Sequence, residues 1–207
     1  MITAVIFDFG RVISAPKPLR LFRNYEKDLG LAPGLINKIM FDSQEWQHAL
    51  LGRITAAEFW YAIGPRLGLD SRRKIDDFRR RYHADESINR GVRNIIRKLR
   101  GRYRLAVLSN SPPGLGRWLL DWGMLDLFDA VFCSGDEGLI KPDPAAYKTV
   151  LNRLGVLPYE AVFIDDTSGH VSAAQKLGLH GIIFTTVDRL IRELNALLPE
   201  ENHLLDR

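Results

Sequence analysis

Short apolar runs rich in β-branched residues alternate with segments of helical periodicity over most of the chain. The apolar runs lie at residues 2–7, 103–108, 130–133, 161–164 and 180–184. Continuous hydrophobicity of this kind is typical of parallel strands that are buried on both faces. The segments with helical periodicity lie at residues 88–100, 114–122, 144–154, 169–177 and 188–198. The alternation predicts an α/β fold with a doubly wound, Rossmann-like, mostly parallel sheet.

The connection between the first two strands is too long for a single crossover helix, because it spans residues 15 to 102. It contains four segments with apolar helical periodicity and no convincing strand. We therefore expect a helical bundle over the C-terminal end of the first strand. The predicted domains are an α/β core of residues 1–14 and 86–207 and a helical cap domain of residues 15–85.

The composition is that of a globular protein, with 46% hydrophobic residues in a chain of 207 and a formal net charge of +4. The densest basic stretch, Arg72 to Arg81, is interrupted by Asp76 and Asp77 at helical spacing. This favours a solvated helix face over a nucleic-acid site. The chain starts in an apolar run without a basic leader, and no stretch approaches the roughly 20 apolar residues of a membrane span. We expect a cytoplasmic protein with no membrane or nucleic-acid partner, as a monomer or a homodimer.

Carboxylates follow two of the predicted strands at the point where each strand ends. Asp8 follows the first strand, and Asp165 and Asp166 follow the fourth. In an open α/β sheet the ligand site lies outside the carboxyl ends of the strands, so these side chains should share one crevice. Three carboxylates there would repel each other unless a cation were present, and an all-oxygen ligand set suits Mg²⁺.

Donor groups are predicted at the same edge. Ser109 and Asn110 end the second strand, and Lys141 follows the third. Hydroxyl, amide and ammonium donors together form a cradle for the outer oxygens of a phosphoryl group. With the cradle and the metal assigned, the remaining carboxylate, Asp8, becomes the candidate nucleophile.

The phrases FDFG-x-V, VLSNS, GLIKPDPAAY and VFIDD resemble, in this order, the four motifs of the haloacid dehalogenase-like hydrolase superfamily. FDFG and LGRITAAEFW further resemble the branch of sugar-phosphate phosphatases with a small helical cap. The resemblance implies a Mg²⁺-dependent phosphatase that acts on a small phosphorylated metabolite, for example a sugar phosphate, through an aspartyl phosphate on Asp8. It assigns the catalytic roles to Asp8 and Lys141, the phosphate contacts to Ser109, Asn110 and Lys141, and the metal site to Asp8, the Gly10 carbonyl, Asp166 and Asp165.

Three positions depart from the superfamily pattern. Gly10 stands where most of these phosphatases carry a second aspartate, which protonates the leaving oxygen and then activates water. We therefore expect an acidic leaving group, such as an anomeric sugar phosphate, or a substitute acid from the cap such as His48. Arg11 stands where a small residue is common and could contact the substrate or block the entrance. His170 stands where asparagine is usual.

Two alternative functions stay open. One is a metal-independent, dehalogenase-like hydrolase that attacks carbon, which the acidic pair at the end of the fourth strand argues against. The other is a non-catalytic module that binds phosphate esters and has lost turnover with the missing acid. Aromatic residues of the insert, including Trp46, Trp60 and Tyr61, could face the crevice, but their helical spacing favours packing.

Overall fold

The computed structural model describes residues 1–198, and within them a five-stranded sheet forms the centre of the protein. The strands are β1 (Ala4–Phe7), β2 (Arg104–Ser109), β3 (Ala130–Cys133), β4 (Ala161–Asp165) and β5 (His180–Ile183). Their order is β3-β2-β1-β4-β5, and every neighbouring pair is parallel. The structure confirms the predicted α/β fold, because the chain runs outward from the central β1 in both directions.

Eleven helices accompany the sheet in the described part of the chain. They are α1 (Leu19–Leu29), α2 (Leu35–Phe41), α3 (Gln44–Leu50), α4 (Ala56–Ile63), α5 (Arg72–Ala84), α6 (Arg90–Leu99), α7 (Leu115–Asp121), α8 (Ser134–Glu137), α9 (Pro144–Leu154), α10 (Ser168–Lys176) and α11 (Val187–Leu197). Short 3₁₀ turns occur at Gly64–Leu67, Leu125–Leu127 and Pro158–Glu160. None of the helices within residues 1–198 is both long enough and apolar enough to cross a membrane.

Both faces of the sheet are covered, which explains the unbroken apolar runs of the strands. Val5 and Phe7 of β1 pack with the buried residues of α6, α7 and α11. Ala4 and Ile6, which alternate with them, pack on the other face against α9 and α10. All four side chains are fully buried, so the alternation of a strand places apolar groups in both cores.

Helices α1 to α5 bury a hydrophobic cluster of their own, which extends from Tyr25 to Tyr82. The apolar helical periodicity of residues 35–51 predicts a single helix, but the structure has two helices there, α2 and α3. The chain breaks at Ser43, whose side chain accepts a hydrogen bond from the backbone N–H of Trp46 (3.1 Å) and so caps α3. Trp60 lies at the centre of the cluster against Phe59 and Phe78.

Two linkers join these helices to the sheet, and they run side by side. Ser14 and Ile88 form an antiparallel bridge, and the N–H of Ala15 donates to the carbonyl of Ser87 (2.8 Å). The chain after α3 contacts α8, the short helix that follows β3, where Gly52 lies so close to Gly135 that a Cβ on Gly52 would be 2.1 Å from the Gly135 carbonyl oxygen. Only glycine fits there.

Candidate active site

The turn after β1 presents Asp8 at the carboxyl edge of the sheet. The N–H of Asp8 donates to the Ile164 carbonyl of β4 (2.8 Å), which extends the ladder and fixes the residue. The chain then leaves the sheet in an irregular turn that is closed by a hydrogen bond from Ser14 N–H to the carbonyl of Phe9 (2.8 Å). Gly10 lies beside the carboxylate, since a Cβ at Gly10 would be 3.7 Å from Asp8 Oδ2.

The three predicted carboxylates come together at this edge. One oxygen from each of Asp8, Asp165 and Asp166 lies within 4.8 Å of the others. Asp8 and Asp165 are buried, whereas Asp166 is partly exposed. Asp165 is further held by the N–H of Thr167 (2.8 Å) and by Nδ1 of His170 (3.1 Å to Oδ2). The geometry is that of a compact all-oxygen cluster with one open side.

Lys141 forms hydrogen-bonded ion pairs with two of these carboxylates. Its Nζ donates to Asp8 Oδ1 (2.7 Å) and to Asp165 Oδ2 (2.6 Å), and its side chain is only 1% exposed. Asn110 positions the backbone of Lys141, because the Asn110 Nδ2 donates to the Lys141 carbonyl (2.9 Å) and its Oδ1 accepts from the Lys141 N–H (2.8 Å). The side-chain amide of Asn110 is thus committed to holding the lysine.

Burial and charge set the protonation of these groups. Burial raises the pKa of Asp8 to about 6; the charge of Lys141 opposes the rise and the charge of Asp165 adds to it. Burial also disfavours the ionised form of Asp165, but hydrogen bonds from His170 and Lys141 hold its pKa below the ordinary value. Although burial acts against the charged ammonium of Lys141, the two carboxylates raise its pKa. Lys141 is therefore a fixed positive charge.

Ser109 completes the edge at the end of β2. Because Phe7 lies opposite Val107 in the parallel ladder, Ser109 is one residue further along the edge than Asp8. Its side chain is 2% exposed. The structure therefore brings the carboxylates, Lys141 and the two β2 residues to one end of the sheet.

The candidate residues of the insert are mainly in packing positions. Trp60 is buried, and Trp46 contacts Phe41 with ring centroids 5.1 Å apart. The Tyr61 hydroxyl lies 3.2 Å from Asp76 Oδ1. His48 lies half-buried within α3.

Arg11 forms an ion pair with Asp166 that the sequence pattern does not predict. Its Nη1 lies 3.1 Å from Asp166 Oδ2, so it forms an ion pair with a predicted metal ligand. The residue also borders an open cleft of about 530 Å³, whose lining includes Asn89, Asp166 and Thr186. A basic residue three positions after Asp8 was the only hint of this contact in the sequence. Whether its side chain reaches the carboxylates depends on the conformation of the turn.

In open parallel α/β sheets of this kind the ligand site lies at the carboxyl edge of the strands, where the three carboxylates and the buried lysine meet. The chain belongs to the haloacid dehalogenase-like hydrolase family, whose model matches residues 2–178. It is thereby identified as an enzyme of the hydrolase class.

Individual relatives agree with this assignment. Sesquiterpene phosphatase astK of Aspergillus oryzae is 28% identical over 94% of this chain and 96% of its own length. Phosphatase MT3486 of Mycobacterium tuberculosis is 27% identical over 95% of each chain. Other relatives are longer, and the chain spans 38% of one and 20% of another. A Bacteroides thetaiotaomicron enzyme of the family, solved as an aspartate-to-alanine mutant with magnesium and inorganic phosphate, superposes with a TM-score of 0.74 at 23% identity, covering 89% of this chain and 95% of its own.

Proposed function

We propose that this hydrolase is a Mg²⁺-dependent phosphatase that acts on a small phosphorylated metabolite through an aspartyl phosphate on Asp8. The observation that carries the proposal is the buried arrangement of Asp8 between Lys141 and the Asp165–Asp166 pair. Both full-length relatives described above bear phosphatase names, which supports phosphorus rather than carbon as the atom attacked.

The carboxylate cluster fits a magnesium ion. Mg²⁺ prefers oxygen ligands in a small octahedral site, and three carboxylates within 4.8 Å of one another offer such ligands. Asp8 and Asp166 would hold the ion through their carboxylates and Gly10 through its carbonyl, with Asp165 orienting a bound water. When bound, the ion supplies positive charge that neutralises the phosphoryl oxygens.

Asp8 is the group that attacks phosphorus. With a pKa of about 6 it is mostly ionised at neutral pH, as a nucleophile must be. One carboxylate oxygen is held by Lys141, which fixes the orientation of the group. Attack forms the Asp8 Oδ–phosphorus bond and breaks the ester P–O bond, whose electron pair leaves with the alcohol oxygen. Water then cleaves the acyl phosphate, which releases inorganic phosphate and regenerates the carboxylate.

The phosphoryl oxygens are bound by donors from the neighbouring strands. Lys141 supplies a buried positive charge, and Ser109 supplies a hydroxyl at the end of β2. Asn110 contributes chiefly by holding the backbone of Lys141, as its two side-chain hydrogen bonds indicate. These preorganised donors stabilise the charge that grows on the phosphoryl group during the transfer.

The leaving group receives no proton from the turn after Asp8, because Gly10 has no side chain. General acid catalysis is typically worth about 10²–10⁴-fold in rate, so a good leaving group is needed. We therefore favour substrates with an acidic leaving oxygen, of which a sugar 1-phosphate is one. A comparison of a sugar 1-phosphate with the matching 6-phosphate tests this choice, and a clear preference for the 6-phosphate would refute it.

We further propose that residues 15–85 act as a cap domain on a core of residues 1–14 and 86–207. The separate hydrophobic cluster of α1 to α5 and the paired linkers at Ser14 and Ile88 support this division. The cap would then select the leaving group.

The deciding experiment measures hydrolysis of an aryl phosphate by the wild type, Asp8→Asn and Asp126→Asn, each with and without Mg²⁺. Asp126 is an exposed aspartate of the Leu125–Leu127 turn that takes no part in the site contacts described above, and it controls for the loss of a carboxylate. We expect Mg²⁺-dependent activity in the wild type and Asp126→Asn, and none in Asp8→Asn. Chloride release from a 2-chloro acid without metal would instead indicate the carbon-attacking hydrolase. Tight binding of phosphate esters with no turnover would indicate the binding module.

A further inference from the structure

Arg11 combines three unusual properties in one residue. Its backbone has φ +58°, and it is the only non-glycine residue with a positive φ among residues 1–198. Its side chain is 73% exposed, yet it forms an ion pair with Asp166 Oδ2 at 3.1 Å. A long side chain in the left-handed region is uncommon, and such outliers concentrate at functional sites.

The turn itself maintains this conformation. The N–H of Arg11 donates to the Ser14 Oγ (3.2 Å), and the N–H of Ser14 donates to the Phe9 carbonyl. The backbone therefore leaves the sheet at a fixed angle, and the Arg11 side chain extends from the turn towards the carboxylate cluster.

Two cationic side chains, Lys141 and Arg11, pair with the three carboxylates, and they differ in their freedom to move. Lys141 is buried and bonded to both Asp8 and Asp165, so it stays in place. Arg11 pairs with the remaining carboxylate, and its exposed guanidinium can swing into solvent at little cost. Asp166 is therefore the one member of the cluster whose partner can be exchanged.

We propose that Arg11 is a positioning residue that competes with Mg²⁺ for Asp166 and so lowers the affinity of the site for the metal. The inference rests on the proposed function, because it takes Asp166 as a ligand of the ion. The guanidinium occupies Oδ2, one of the two oxygens that Asp166 can offer, and it partly neutralises the carboxylate charge that would attract the metal. The positive charge of Arg11 beside the ion adds a repulsion.

A merely structural role for Arg11 predicts something different. If the ion pair only stabilised the turn, its loss would lower the stability of the protein and leave the metal affinity unchanged or weaker. An exposed ion pair contributes little to stability, which makes the structural role a poor reason to keep arginine in a strained conformation. The two roles are separated by the sign of the change in magnesium affinity.

The test compares the magnesium dissociation constants of the wild type, Arg11→Gln and Arg11→Lys by isothermal titration calorimetry with magnesium chloride. Both variants keep a long side chain on the same backbone, but only lysine keeps the charge. We expect Arg11→Gln to bind Mg²⁺ about two- to fivefold more tightly, the range that an exposed ion pair allows, and Arg11→Lys to stay close to the wild type. High salt should narrow the difference, because it screens the exposed pair.

If Arg11→Gln binds Mg²⁺ no more tightly than the wild type does, the inference is overturned. Mg²⁺-dependent hydrolysis by the wild type would show that the proposed function nevertheless holds. A wild type that binds no Mg²⁺ would remove the proposed function, and the inference with it. Thermal unfolding without metal checks the fold of each variant. Should glutamine fail to fold, Arg11→Asn replaces it, because asparagine tolerates a positive φ better than other residues.

Discussion

Removal of the Lys141 ammonium should strongly destabilise the protein. Lys141→Met keeps the length and the apolar stem of the side chain but leaves Asp8 and Asp165 without the donor that lies 2.7 Å and 2.6 Å from their oxygens. Both carboxylates are buried, so water cannot replace the lost partner fully. Breaking a buried ion pair by removing one partner costs about 3–5 kcal/mol, and we expect a loss of this size at pH 7.5.

The loss should depend on pH in a defined direction. Without Lys141 the folded-state pKa of Asp8 rises further above that of the unfolded chain, because burial and repulsion by the other carboxylates then act unopposed. The pKa of Asp165 also rises from its lowered value, since only the hydrogen bonds from His170 and Thr167 remain to oppose its burial. The folded variant therefore binds more protons than its unfolded state as the pH falls. Its deficit relative to the wild type should shrink between pH 7.5 and about 4.5.

Urea unfolding followed by circular dichroism measures both effects, in a buffer with a metal chelator. Lys148→Met is the matched control, since Lys148 is an exposed lysine of α9 and its loss should change the stability by less than about 0.5 kcal/mol. A deficit of Lys141→Met below about 1 kcal/mol, or one that stays constant across this pH range, would refute the account of Lys141 as the counter-ion of two buried carboxylates.

Three further predictions test other parts of the molecule. Gly10→Asp should raise kcat/KM for an alkyl phosphate by about 10- to 100-fold and change that for an aryl phosphate little, because the new carboxylate can protonate a poor leaving group beside Asp8; equal effects on both esters would contradict this. Burial and two nearby cations lower the pKa of His83 to about 4. The free energy of unfolding should therefore fall by about 1–2 kcal/mol between about pH 6.5 and 4, a figure reduced for the partial exposure of the ring. In urea unfolding, His83→Phe should lack this part of the acid destabilisation. Gly52→Ala should lower the thermal midpoint and kcat together, since the added Cβ meets the Gly135 carbonyl at 2.1 Å and its φ of +67° favours glycine; an unchanged midpoint would show that this approach is not needed.

The sheet could be predicted from the sequence because its strands are buried on both faces. The apolar runs at 103–108 and 161–164 correspond to β2 and β4 within one residue at each end. After the exposed Arg104 at the start of β2, no polar position interrupts either strand until the chain reaches the carboxyl edge, where Asp165 and Ser109 appear. The end of each apolar run therefore marked both the strand boundary and the position of the site.

The partners of the site residues could not be predicted in the same way. The phosphate contact of Asn110 stays a prediction, and no pattern in the sequence indicates that its side-chain amide also holds the Lys141 backbone across 31 positions. The contact of Arg11 with Asp166 depends on a positive φ in the turn after β1, which the residue type gives no reason to expect. Both contacts are set by tertiary geometry, and local patterns carry no information about them.

The charged residues at the site form two groups: a buried group whose members bond to each other, and a more exposed pair whose members can change partners. Lys141 and the carboxylates of Asp8 and Asp165 are buried and mutually bonded, so in the proposed mechanism they fix where a phosphoryl group would be attacked. Asp166 is partly exposed and Arg11 is largely exposed, so this pair can respond to a ligand. Since the buried group contains no acid for the leaving group, the proposed mechanism assigns discrimination between substrates to the ester itself and to the proposed cap helices α1 to α5. Changes in those helices should therefore alter which ester is hydrolysed while the position of attack stays the same.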